Sequence, residues 1–316
     1  MRAVVIDRNG GPDVLMLEDR PTPGPRSGQL LVDVGVAGVN YRDIYEREGR
    51  GGYGSEVPLV VGVEGAGTVR AVGPGVEEFS IGDRVAWAAA PGSYAEHVVV
   101  DAARAVAVPP EVTDEQAAAA MVQGITAHYL SHSVYPVSEG DAVLVHAAAG
   151  GVGLLLTQMV KLRDGRVLGT VSTEEKAELV RRMGADEVLG YEGFADRARE
   201  LTDDQGVAAV YDGVGMTTFE QSLASLRPRG YMVLYGAASG PAPSIDPARL
   251  AAGSLFLTRP VLHHYTASRA VLLERTRTVL GWIAEGKVEV RIGGRYSLEQ
   301  ARQAHEDLEG RRTTGK

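Results

Sequence analysis

Apolar and polar positions are arranged differently in the two halves of this chain. Before about Gly124, apolar residues come in short β-like runs at 2–6, 30–39, 67–73, 84–89 and 94–101. Turn signals such as Arg8-Asn9-Gly10-Gly11-Pro12 and Gly73-Pro74-Gly75 separate them, which predicts a small β-rich domain. From about Asp141, strands and helices alternate. Residues 142–147 form an apolar run, as expected of a strand buried on both faces, and Val152, Leu155, Leu156, Met159 and Val160 follow at helical spacing. The pattern predicts a strand at 166–171 and a helix at 174–183, with Ala177, Val180 and Met183 on one side and Gly184 at the C-terminal cap. Further strands are predicted at 187–191, 207–212, 231–236 and 254–258, with a helix around Phe219, Leu223 and Leu226. Six strands with helices between them predict an α/β doubly wound parallel sheet. After Pro260 the spacing predicts a long helix at 268–285, ended by Gly286, and Ser297-Leu298-Glu299-Gln300 has the form of a capping box.

Composition narrows the chemistry. A length of 316 residues with 44% hydrophobic positions suits two domains with packed cores. The chain has no cysteine, which excludes disulfides, Cys-ligated zinc, iron–sulfur clusters and a cysteine nucleophile, and is compatible with a reducing cytoplasm. The apolar run after Met1-Arg2 is too short for a secretory signal, and no stretch approaches the roughly 18 apolar residues that span a bilayer, so no membrane association is expected. A net charge of −9 makes nucleic acid an unfavourable partner.

The strongest chemical signal is the loop Ala148-Ala149-Gly150-Gly151-Val152-Gly153, between a predicted buried strand and a predicted helix. A dinucleotide site needs a tight turn, close backbone approach to the pyrophosphate and a helix N-terminus facing the negative charge. Gly150 permits the approach and Gly153 lets the helix pack on the strand, while Ala148 stands where the fingerprint has its first glycine. The acid that would bind a ribose 2′-hydroxyl about 20 residues on is missing from Gly169-Thr170-Val171-Ser172-Thr173. Ser172 and Lys176 are instead candidates for a 2′-phosphate, which favours NADPH over NADH; Tyr191 is read as stacking on adenine or bonding the phosphate, and Thr173 as a further cofactor contact. The adjacent Glu174 and Glu175 are read as solvent-facing residues of a first helical turn.

Several segments together resemble the zinc-independent quinone oxidoreductase (zeta-crystallin-like) branch of the medium-chain dehydrogenase/reductase superfamily. They are His146–Gly153, Val39-Asn40-Tyr41-Arg42-Asp43-Ile44-Tyr45, Gly62-Val63-Glu64-Gly65-Ala66-Gly67-Thr68-Val69, Gly124-Ile125-Thr126-Ala127, Tyr211-Asp212-Gly213-Val214-Gly215 and Ser254-Leu255-Phe256-Leu257-Thr258-Arg259-Pro260. The resemblance implies a GroES-like catalytic domain from residues 1–123 and the returning segment 261–316, with a Rossmann NADPH-binding domain, 124–260, between them. It also implies a homodimer and an active site between the domains. Zinc-dependent relatives carry Cys and His in the 40–45 and 62–67 regions. Here Val63 stands at the ligand-histidine position, and the remaining Glu64 does not make a zinc site. The family continues past Thr313-Thr314-Gly315-Lys316 into a short terminal strand, so no cofactor contact from such a strand is carried over.

Without a metal, hydrogen-bond donors must stabilise the charge that develops on an acceptor oxygen. Asn40, Tyr45 and Tyr53 are the catalytic candidates, and Asn40 and Tyr45 also belong to the nicotinamide-side segment. Their structural alternatives are a turn-stabilising Asn40, a packed Tyr45, and a Tyr53 that anchors or closes Gly51-Gly52-Tyr53-Gly54. Asp43 is read as a local ion-pair partner of Arg42 or Arg47. Thr126, Val214, Gly236 and Ala237 are candidates for the nicotinamide end, with Ser239 and Phe256 as further cofactor contacts. His128 and His132 lack the glutamate of H-E-x-x-H, and His263-His264 is read as solvated or packing. The expected activity is reduction of a quinone by NADPH. The alternatives are reduction of an enone or 2-alkenal double bond, and a cofactor-binding structural or RNA-binding role, which the net charge disfavours.

Overall fold

The computed structural model describes residues 1–50, 52–53 and 56–316. They divide into two units, one of 1–122, 268–314 and 316, the other of 123–267 and 315.

In the first unit, β1 (Arg2–Ile6), β2 (Met16–Asp19), β3 (Gln29–Ala37), helix α1 (Tyr41–Arg47), β4 (Leu59–Val60), β5 (Gly65–Val72), β6 (Arg84–Trp87), β7 (His97–Asp101) and β8 (Val106–Ala107) form two antiparallel sheets, ordered β2-β1-β4 and β7-β3-β5-β6-β8. The larger sheet buries Leu30, Val32, Val69, Val85, Val98 and Val100 around Trp87, whose indole N–H donates to Ser93 Oγ at 2.9 Å. The glycines of the 62–67 segment have a packing reason: a Cβ on Gly67 would lie 2.0 Å from the Asp33 carbonyl oxygen of β3.

Helix α2 (Asp114–Tyr129) leads into the second unit, where β9 (Ala142–Val145), α3 (Gly151–Lys161), β10 (Arg166–Thr170), α4 (Glu174–Arg182), β11 (Glu187–Leu189), α5 (Phe194–Glu200), β12 (Val207–Asp212), α6 (Phe219–Ala224), β13 (Leu226–Leu234) and β14 (Phe256–Thr258) alternate. The six strands are parallel in the order β11-β10-β9-β12-β13-β14. This is the doubly wound order, with its switch point between β9 and β12. The predicted boundaries of β1 and β12 are met, and Gly184 closes α4 with a φ of 102°. Two details differ. Leu226 opens β13 instead of ending a helix, because α6 stops at Ala224. Pairing in β9 stops at Val145, one residue before the polar His146.

Helices α7 (Arg269–Ala284) and α8 (Ala301–Glu309) belong to the first unit. Ser268 caps α7 by accepting from the Val271 N–H, and the Ser297/Gln300 capping box is present one turn before α8. No helix among the described residues is long and apolar enough to cross a membrane.

Candidate active site

The loop after β9 lies at the carboxyl ends of the strands beside the switch point, where open α/β sheets bind their ligands. Gly150 is the N-cap of α3 and supplies no side-chain cap, and the first turn of α3 carries no acid. The first N–H groups of a helix lack acceptors within it and attract an anion. A Cβ on Gly153 would fall 2.5 Å from the Ala147 carbonyl oxygen and 2.7 Å from Ala148 Cα, whereas on Gly150 it would meet only the Ala147 oxygen, at 3.2 Å. The helix therefore seats on the backbone of the loop after β9 through Gly153 and leaves the face at Gly150 open. The left-handed residue of the turn is Ala147, with φ 49°, and its N–H donates to the Tyr191 hydroxyl at 3.1 Å. These residues fit a dinucleotide pyrophosphate.

Ser172 and Thr173 follow β10 and are exposed, and Thr173 caps α4 by accepting from the Lys176 N–H. Glu174 and Glu175 are exposed in the first turn, and Glu174 pairs with Arg181 at 2.6 Å. Thr126 is buried in α2. Val214 and Ser239 are joined: Ser239 Oγ donates to the Val214 carbonyl at 2.8 Å, and the Ala238 N–H donates to the Gly213 carbonyl at 3.1 Å, which brings Gly236 and Ala237 beside the loop after β12. Phe256 is not brought to this row. It stands at the amino end of edge strand β14, 46% exposed and stacked on Tyr231 at 4.5 Å.

In the first unit, Asn40 caps α1 and is buried. Its Nδ2 donates to Glu64 Oε1 at 2.7 Å and its Oδ1 accepts from Lys316 Nζ at 2.8 Å. Lys316 Nζ also pairs with Glu64 Oε1, and Glu64 Oε2 accepts from the Val122 N–H at 2.6 Å. The amide of Asn40 is thus held by a buried ion pair that joins positions 24 and 276 residues away in sequence. Tyr45 and Tyr53 are half-buried with ring centroids 5.7 Å apart, and the Arg42 guanidinium lies 5.7 Å from the Tyr53 ring centre. Gly51 and Gly54 beside Tyr53 lie outside the described residues. Sequence reading missed Lys316, because a terminal lysine has no local signature. Gly315 and Lys316 are both anchored: the Gly315 N–H donates to the Ala149 carbonyl, and the Lys316 N–H donates to the Arg291 carbonyl, each at 2.9 Å.

Asp43 is fully buried, accepts from the Asn40 N–H at 2.9 Å and the Tyr94 hydroxyl at 3.1 Å, and pairs with Arg42 at 3.6 Å. Arg47 turns instead to Glu309 at 2.8 Å and to His305 Nδ1 at 3.1 Å. Burial raises the Asp43 carboxyl to about 6, against the opposing guanidinium of Arg42. Burial lowers His146 to about 4, and burial with the nearby Arg47 lowers His305 to about 3.

The signs differ. An unfolded histidine takes a proton near 6.5, whereas these two remain neutral in the fold, so the unfolded state binds more protons below 6.5 and stability falls as pH drops. Asp43 acts oppositely, since its folded form holds a proton between 3.8 and about 6 and loses that stabilisation as pH rises. Urea unfolding at pH 7 and pH 5 isolates one contribution: His146→Gln is expected to show an acid loss smaller than wild type by about 2 kcal/mol. An unchanged difference between the two pH values would show that His146 is not buried neutral.

Among the described residues no group of three or more His, Asp or Glu side chains is placed to hold a metal ion. His128 and His132 stack on each other at 4.4 Å instead.

Residues 26–110 match the alcohol dehydrogenase GroES-like domain, and residues 151–282 match the domain described as zinc-binding dehydrogenase. A quinone oxidoreductase of Pseudomonas aeruginosa is 42% identical over 97% of this chain and 95% of its own length. The chain belongs to the zinc-independent quinone oxidoreductase branch of the medium-chain dehydrogenase/reductase superfamily. Within that branch, a mycobacterial protein solved with NADPH is 51% identical, covers 100% of this chain and 98% of its own, and superposes with a TM-score of 0.97. A 2-haloacrylate reductase of Burkholderia is 38% identical over 99% of this chain and 97% of its own length.

Proposed function

We propose that this protein is an NADPH:quinone oxidoreductase that uses no zinc. The observation that carries the reading is the glycine loop at the switch point, seated through Gly153, in a chain similar along its whole length to quinone oxidoreductases. Bound NADPH supplies a hydride from C4 of its reduced nicotinamide. Gly150, Gly151, Val152 and Gly153 present the N-terminus of α3 to the pyrophosphate. Ser172, Thr173, Lys176 and Tyr191 serve the 2′-phosphate, and Thr126, Val214, Gly236, Ala237 and Ser239 the nicotinamide end. Domain roles follow: the β-rich unit binds the acceptor and the parallel-sheet unit binds the cofactor.

One quinone takes up the hydride and one proton to become a hydroquinone. The hydroxyls of Tyr45 and Tyr53 donate to the acceptor oxygen as charge develops there. For Asn40 the structural alternative, stabilising a turn, is taken here over the catalytic one. With its amide held by Glu64 and Lys316, it fixes the start of α1, on which Tyr45 sits.

The test is a steady-state panel of 1,4-benzoquinone, 9,10-phenanthrenequinone and 2-alkenals with NADPH and with NADH. Quinones with NADPH are expected to give the highest kcat/KM, and Tyr53→Phe to lose about tenfold in kcat/KM for quinone. Unchanged kcat and KM would remove Tyr53 from the mechanism, and tighter binding of NADH by about tenfold would remove the roles of Ser172 and Lys176. The similarity to the 2-haloacrylate reductase supports a second reading, reduction of an activated carbon–carbon double bond, and preference for 2-alkenals or 2-chloroacrylate would select it.

The reading includes a homodimer in a reducing cytoplasm, which the absence of cysteine suits. Strand β14 ends the six-stranded sheet and exposes Phe256, and pairing with a second copy would cover both. Light scattering is expected to give twice the chain mass of 33.4 kDa, and a monomer mass would refute this.

A further inference from the structure

We infer that His146 is a positioning residue for the dinucleotide, a buried imidazole that holds the loop after β9 and the loop after β12 in register at the switch point. The inference rests on the NADPH-dependent reading above and adds a residue to it that touches no cofactor.

The geometry begins where strand pairing ends. The ladder joins Val145 to Gly169 on one side and to Tyr211 on the other, and His146 is the next residue. Its side chain is wholly buried and bonded at both ring nitrogens, to Thr170 Oγ1 at 2.8 Å from Nδ1 and to Ser222 Oγ at 2.9 Å from Nε2. The partners fix the tautomer. Ser222 Oγ donates to the Thr218 carbonyl at 2.8 Å, so it accepts from the His146 Nε2–H, and the Thr170 hydroxyl donates to Nδ1. Thr170 is the last residue of β10, so one imidazole spans from that strand end to α6.

The network continues to the second loop. Thr218, whose carbonyl takes the Ser222 proton, donates its own hydroxyl to Asp212 Oδ2 at 2.7 Å. Asp212 Oδ1 accepts from the backbone N–H of Val214 at 2.7 Å and of Gly215 at 2.9 Å, and so shapes the turn after β12. All five side chains, Thr170, His146, Ser222, Asp212 and Thr218, are buried. The His146 N–H still donates to the Tyr211 carbonyl at 3.0 Å and the Ala148 N–H to the Thr170 carbonyl at 3.1 Å, and the side-chain contacts add to this backbone alignment where the paired strands end.

Histidine suits the position because a neutral imidazole offers one donor and one acceptor on opposite sides of a rigid ring. Burial keeps it uncharged, so the negative charge of Asp212 stays directed at the loop N–H groups. Ala147, the next residue, occupies the left-handed conformation that starts the cofactor loop, and a shift of His146 displaces it directly.

The test compares a ligand that spans both loops with one that does not. Binding of NADPH and of 2′,5′-ADP, which lacks the nicotinamide half, is measured by calorimetry on the purified full chain. His146→Leu is expected to weaken NADPH by about tenfold while 2′,5′-ADP changes by less than about twofold. Equal weakening of the two ligands, or no weakening of NADPH, overturns the inference. His146→Gln, whose amide reaches the Nε2 position, is expected to bind NADPH within about threefold of wild type. A glutamine variant as weak as the leucine variant would overturn the role of the Ser222 bond. If the leucine variant does not fold, Ser222→Ala and Thr170→Val, each lacking one hydroxyl, carry the same comparison with the same deciding outcomes. Binding of NADPH to the wild-type chain in the same titration tests the NADPH reading separately.

Discussion

Gly153→Val is expected to weaken NADPH binding by at least about a hundredfold and to lower stability by about 3 kcal/mol. A Cβ there meets backbone atoms on two residues, the Ala147 oxygen at 2.5 Å and Ala148 Cα and O at 2.7 Å. Backbone has no rotamer by which to yield, so α3 must retreat from the loop that follows β9 and take its N-terminus with it. Gly150→Ala is the matched control. Its methyl group meets only one oxygen, at 3.2 Å, and projects on the open face. The alanine variant is expected to keep its melting temperature within about 2 °C and to weaken NADPH by about tenfold. Fluorescence titration with thermal melts checks both. A valine variant that binds NADPH as wild type does would refute the seating of α3 through Gly153.

Glu64→Leu is expected to cost about 3–5 kcal/mol of folding stability. The carboxylate is wholly buried and serves three donors: Lys316 Nζ, Asn40 Nδ2 and the Val122 N–H. Its removal leaves a lysine with 8% side-chain exposure without its counter-charge and frees Asn40, which caps the helix bearing Tyr45. Most of the loss comes from the orphaned ammonium rather than from the net worth of the ion pair. Lys316→Met in the Glu64→Leu background is therefore expected to recover about half of it. Urea unfolding of the two single variants and the double variant closes the cycle. A Glu64→Leu loss below about 1 kcal/mol would show that the pair contributes little to the fold.

The legible parts of the chain are those whose cause is local. The strands at 2–6 and 207–212 follow from short apolar runs between turn residues, and the parallel sheet from their alternation with helical spacing. The dinucleotide loop was readable because its glycines are close together in sequence and flanked by a strand and a helix. Helix α5 was missed. It is one short amphipathic stretch, Phe194–Glu200, that buries only Phe194, Ala195 and Ala198, too few positions to establish a period. The apolar spacing that continues from Phe219 and Leu223 to Leu226 predicts a helix there, whereas the chain enters β13 at Leu226 by pairing with Val207.

The sequence alone therefore determined the two-part organisation, the parallel sheet and the position of the glycine loop between β9 and α3, because residue spacing and turn chemistry encode these within a few neighbours. It also indicated that no cysteine-ligated metal serves the site. Tertiary structure decided what each polar side chain does. Asn40 becomes a held residue through Glu64 and Lys316, and His146 becomes a bridge from the end of β10 to α6 through Thr170 and Ser222. The physical reason is that a buried polar atom must find a partner wherever the fold brings one, and here the partners stand 24 to 276 positions away.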